Sequence, residues 1–140
     1  MRRLVTREED GAAIIEFALL APLLISFLIG VLQIALLVQT QNAMRSVASD
    51  TARYAIVEYQ KKTPVTDAKV RDSAEKLGKS PQYQMANNFS ASVDNASTQR
   101  VDGALEKTIT VTYTPPAILP LIDFTSPKLS YSRPIFLIDE

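Results

Sequence analysis

The sequence predicts an α+β fold of two unequal parts, in which a long N-terminal α-helix packs its second half against a small antiparallel β-sheet. Three observations carry this expectation. An uncharged apolar run extends from Phe17 to Val38, amphipathic spacing continues beyond it to Tyr59, and the last third alternates Thr-rich and apolar residues between prolines.

Composition narrows the function classes. The chain has 140 residues, with 15 basic and 15 acidic side chains and a net charge of zero, so it carries no global electrostatic footprint for nucleic acid. Cysteine and histidine are both absent. That removes disulfides, thiolate nucleophiles, imidazole bases and the usual zinc or haem ligands. Serines and threonines therefore have no histidine to activate them, the Glu8–Glu9 pair lies ahead of the apolar run, and no Gly-rich phosphate loop is present. No catalytic residue, cofactor or metal is assigned.

The helix is expected over 12–60. Between Ala12 and Val38 the only side chains that are neither apolar nor small are Glu16, Ser26 and Gln33. At about 1.5 Å per residue, the run from Phe17 to Val38 covers roughly 33 Å, enough for a hydrocarbon core of about 30 Å. So small a chain could hardly bury such a helix on all sides, which argues against a core helix of a water-soluble protein. A cleaved secretory signal is the other competitor, since Arg2, Arg3 and Arg7 form a basic start, but the run exceeds the usual 7 to 15 apolar residues. Past the span, Met44, Val47, Ala48, Thr51, Ala52, Ala55, Ile56 and Tyr59 recur at three- and four-residue steps, leaving an apolar stripe in need of a cover. Pro22 is expected to kink the helix, and Gly30 marks a soft or closely packed point. Arg45 and Arg53 follow the span, so the basic bias toward a cytoplasmic N-terminus is slight.

Residues 61–140 are expected to form a small extracytoplasmic α+β domain. "KKTPVTD" breaks the long helix, and a short helix follows with Thr66 or Asp67 as N-cap, Val70, Ala74 and Leu77 as its apolar stripe and Gly78 as its stop. Phe89, Ala91 and Val93 alternate with serines as a strand. The clearest strand is "LEKTITVTY", with Leu105, Lys107, Ile109, Val111 and Tyr113 on a buried face and Glu106, Thr108, Thr110, Thr112 and Thr114 on a wet one, ended by Pro115 and Pro116. "KLSYSRPIFLI" supplies a third, and Pro134 places it at an edge. Between the last two lies an apolar loop with Ile118, Leu119, Leu121 and Ile122. It is either a contact surface for a partner subunit or a flap closing the sheet edge.

Glu16 is the anomaly of the apolar run, because a carboxylate in a membrane helix calls for a partner or a function. If the chain were cut after Gly11, the new α-amine of Ala12 would stand four residues from Glu16, on one face of the helix.

The pattern "EEDG" followed by "AAIIEF" resembles a type IV prepilin processing site, and Phe17 directly after the glutamate is similar to the branch belonging to tight adherence (Tad, or Flp) pili. "GAAIIEFALLAPLL", "NAMRSVASDTARYAI", "TITVTYTPPAILPLI" and "LSYSRPI" run in the order found in TadE-like proteins, the pseudopilins of that system, with residues 61 to 100 matching least. TadF-like pseudopilins are of similar size and remain an alternative.

The resemblance implies a leader over 1–11, cleavage between Gly11 and Ala12 by a prepilin peptidase, and charge pairing by Glu16 beside Phe17 during assembly. It implies as partners other pilins and pseudopilins (TadF-like, Flp-type major pilin), an inner-membrane assembly platform and lipid. It also implies a bacterial inner-membrane protein with its N-terminus in the cytoplasm and its C-terminal domain in the periplasm, moving to the pilus on assembly. The reading from another class is a permanent single-pass anchor whose outer domain binds a ligand or envelope component.

Overall fold

The computed structural model describes residues 2–85, 87–118 and 125–138, with side chains described from residue 11 onward. The elements run α1 (Arg2–Gln60), α2 (Asp67–Gly78), β1 (Phe89–Asn95), β2 (Ala104–Tyr113) and β3 (Leu129–Ile138). This is the α+β architecture the sequence predicts.

α1 starts ten residues before the expected Ala12. Residues 2–10 contain no proline, and a helical Gly11 costs only about 1 kcal/mol relative to alanine, too little to end a helix that continues on both sides. The helix also runs unbroken through Pro22, whose carbonyl accepts a bond from the Ser26 hydroxyl at 2.8 Å. Its end is built by the backbone. Lys62 adopts a left-handed conformation with φ of 56°, Thr63 N–H donates to Glu58 O at 3.2 Å, and Lys62 N–H donates to Tyr59 O at 2.9 Å. These two bonds close the last carbonyls in the manner usually given to glycine.

The chain forms two compact units, Met1–Ala35 with Ala117–Phe124, and Leu36–Pro116 with Thr125–Glu140. In the second, the three strands form one antiparallel sheet in the order β1-β2-β3. β2 is central, and Pro134 sits on edge strand β3 opposite Thr108, where its missing N–H is tolerated. Ile109 and Val111 of β2, Ile135 and Leu137 of β3 and Phe89 and Ala91 of β1 are buried with Met44, Val47, Ala48, Ala52 and Ala55 of α1. The stripe read from the sequence is thus the helix's contribution to the core. On the opposite face, Ser90 and Thr112 (2.7 Å) and Thr110 and Ser132 (2.9 Å) share hydroxyl hydrogen bonds across the strands.

The expected facing of β2 changes at its start. Leu105 is exposed, whereas Glu106 is buried, because Arg100 bonds its carboxylate through both Nε and the backbone N–H at 2.8 Å each. The segment before β2 therefore folds over that end of the outer face. Lys107 keeps its predicted face among apolar neighbours and satisfies its ammonium with Asp67 Oδ1 at 2.6 Å and Asn95 Oδ1 at 3.0 Å.

α2 begins as expected, with the Thr66 side chain accepting from Lys69 N–H at 3.4 Å and with Val70 and Ala74 buried. α2 ends at Gly78 as expected, but that glycine also has a packing job. The cap is Lys79 in an ordinary right-handed conformation (φ −84°), and the place where a Gly78 Cβ would sit lies 2.5–2.7 Å from the Phe89 ring. Glycine is there for close approach.

Candidate functional site: the bare N-terminal helix

From Ile14 to Leu28 the large apolar side chains of α1 face outward on every side, and Val31, Leu32, Ile34 and Val38 are exposed beyond them, whereas Ile29, Leu36 and Leu37 are half-buried. Leu19 is 74% exposed, Phe27 72% and Leu32 52%. No soluble fold leaves such a surface to water, since burial stabilises by about 25 cal/mol per Å² of apolar area. The helix is long and apolar enough to cross a membrane. A buried core helix, the competitor weighed from sequence, is ruled out by the same exposures.

The predicted site residues lie along this surface. Gly11 is half-exposed, and Ala12, Glu16 and Phe17 are exposed. Because α1 is continuous, Ala12 and Glu16 stand one turn apart, as the spacing required. Nothing lies within 4 Å of where a Cβ would sit on Gly11 or Gly30, so neither glycine answers to a neighbour within the chain. Of the loop residues, Ile118 is 41% exposed, while Leu119, Leu121 and Ile122 lie outside the described residues.

One residue of the run departs from the pattern. Gln33 is only 2% exposed, and its Oε1 accepts the backbone N–H of Ile118 at 2.8 Å. Sequence reading noticed Gln33 as a polar interruption but had no signal for its partner 85 positions away.

One groove in the unit that holds the sheet, about 790 Å³, is lined by Ser49, Arg53, Ile56, Tyr131, Arg133 and Phe136, among other residues, and no carboxylate lines it. Arg45 lies over the Tyr131 ring at 5.9 Å. No group of acidic, histidine or cysteine side chains able to hold a metal occurs among the described residues. Tyr83 is perturbed: burial, then its 3.0 Å hydrogen bond to Asp50 and that residue's charge, push its phenol above the ordinary value.

Residues 11–53 match the model of the family described as TadE-like protein. Over this segment the chain is similar to TadE-like proteins. The match covers the bare apolar half of α1 and the beginning of its core stripe, which is consistent with a TadE-like protein of the Tad pilus system. No curated protein and no solved structure matches the chain. The family it matches is one of pilin-like proteins of the Tad pilus with an N-terminal apolar helix.

Proposed function

We propose that this chain is a minor pilin or pseudopilin of a Tad-type pilus or secretion apparatus, cleaved after Gly11 by a prepilin peptidase and assembled through its N-terminal helix. The observation that carries the proposal is the all-round exposure of apolar side chains from Ile14 to Leu28 in a segment similar to TadE-like proteins. Such a helix has two suitable environments, lipid and a bundle of like helices. Storage in the inner membrane uses the first, with the N-terminus in the cytoplasm and the sheet unit in the periplasm. Assembly exchanges it for the second.

Glu16 gives the exchange its register. Cleavage creates a cationic amine on Ala12, and in an apolar bundle that amine and the Glu16 carboxylate of a neighbouring subunit each require an opposite charge. Misaligned helices leave both unpaired in low dielectric, so pairing selects one axial offset even where its net stabilisation is small. Phe17 and the open Gly30 lie on the surface presented to neighbours. Gly11 serves the earlier step, since it presents no side chain to a peptidase that must draw the scissile backbone closely into its site.

The test is the mass of the mature N-terminus from cells with and without prepilin peptidase. A chain that begins at Ala12 only when the peptidase is present, and that stays uncut in Gly11→Val, supports the proposal. A chain retaining residues 1–11 in both strains would overturn it and leave a permanent ligand-binding anchor as the better account. In the cleaved protein, Glu16→Ala is expected to block incorporation while leaving processing intact.

A further inference from the structure

The Gln33 contact has a physical consequence if α1 spans a bilayer. Gln33 lies five residues before Val38, the end of the uncharged run, which places it about 7–8 Å along the axis from that end. At that depth a side-chain amide is costly unless bonded, and irregular backbone is tolerated only where its polar groups find partners inside the protein. Gln33 Oε1 and Ile118 N–H satisfy one another at 2.8 Å, and Gln33 is buried on a face of α1 where Ile29, Gly30, Leu36 and Leu37 are half-covered.

The residues around Ile118 suit the same environment. No charged side chain occurs from Thr108 to Ile122, and Pro115, Pro116 and Pro120 bring no N–H that would need a bond. The apolar Ile118 side chain is 41% exposed, and Ala117 and Ile118 belong to the same compact unit as the apolar part of α1. Water is a poor solvent for this sequence. A lipid leaflet that already surrounds the helix extends over it without a break.

We propose that Ala117 and Ile118 form a second membrane contact, seated in the outer leaflet near the headgroup boundary and clasped to the span by Gln33. The proposal rests on the membrane-spanning reading of α1. The occupant of the exposed Ile118 surface is lipid acyl chain, continuous with the lipid around the helix. The contact gives the chain two points of attachment separated by 85 residues of sequence, so extraction of α1 from the bilayer requires withdrawal of the loop as well.

Because the chain contains no cysteine, a single label can be placed without background. Full-length Ile118→Cys, carrying an environment-sensitive fluorophore, is reconstituted in phosphatidylethanolamine–phosphatidylglycerol vesicles beside a Leu28→Cys control within the span. The expected result is blue-shifted emission at position 118, loss of iodide quenching, and quenching by lipids brominated close to the headgroup. Gln33→Leu should restore iodide quenching at 118 and leave position 28 shielded. If position 28 is shielded but 118 is open to iodide, the loop contact is overturned and the span stands. If both are open, the spanning reading itself fails. Shielding of 118 that requires a second pilus subunit, or that is unchanged by Gln33→Leu, also overturns the proposal.

Discussion

Gly78→Ala sets two known effects against each other. In an exposed helix interior the substitution would stabilise by about 1 kcal/mol, because alanine loses less backbone freedom than glycine. Here the new methyl would lie 2.5, 2.6 and 2.7 Å from Cε1, Cδ1 and Cζ of Phe89. Carbon atoms prefer about 3.5–4.0 Å, so ring and helix would have to part by roughly 1 Å. Phe89 is only 6% exposed and belongs to the core, so the ring has little room to retreat. Overpacking of this kind costs about 1–3 kcal/mol, which leaves a net loss of up to about 2 kcal/mol. Gly78→Val, with a larger side chain and a smaller gain in helix propensity, should lose more.

The assay is guanidinium denaturation of the full chain in mild detergent, followed by tyrosine fluorescence from the sheet unit. A double-mutant cycle with Phe89→Leu supplies the decisive control, since shortening the ring should relieve the alanine and give a coupling of about 1 kcal/mol or more. A Gly78→Ala protein at least as stable as its parent, or strict additivity with Phe89→Leu, would refute the close-approach account.

Three other outcomes follow from the outer unit. Asp67→Ala should cost about 1–2 kcal/mol in the same assay, because it strips the nearest anion from the buried Lys107 ammonium while half-exposed Asp67 itself holds much of its hydration; Lys107→Met, which removes both problems, should be near neutral. Thr51 is fully buried on α1 and its Oγ1 has no partner, so Thr51→Val should raise stability by about 1 kcal/mol, read as a higher denaturant midpoint at unchanged slope. The raised phenol of Tyr83 means that the folded state holds that proton more tightly than the unfolded state. Its contribution is fully present below about pH 10 and is lost as pH rises from there through the folded value. A pH series of unfolding curves should show less alkaline loss for Tyr83→Phe.

Local periodicity explains what was legible before the structure. The stripe from Met44 to Ala55, the strand alternation around Ile109 and Val111, the cap at Thr66 and the edge position of Pro134 all express rules that act within a few residues. Glu16 stood out in the same way, as a charge in an apolar run.

What stayed hidden depended on chain segments distant in sequence. Gly78 read as a helix stop because glycine at a helix end usually is one, and only the arrival of Phe89 shows that the missing Cβ matters for packing. Glu106 was assigned to a wet face until Arg100 folded over it, and Lys107 to an apolar face without sight of Asp67, 40 positions earlier.

The sequence by itself determined that this chain has a membrane-length apolar helix continuing into an amphipathic one, a small antiparallel sheet, and no cysteine or histidine for chemistry. Those properties reside in composition and short-range spacing. Tertiary structure alone decided which polar groups are buried and what satisfies them: Lys107 with Asp67, Glu106 with Arg100, and Gln33 with the Ile118 amide. A buried polar group must find a hydrogen bond wherever the fold brings one within reach, and that partner is set by three-dimensional proximity, which no local pattern encodes.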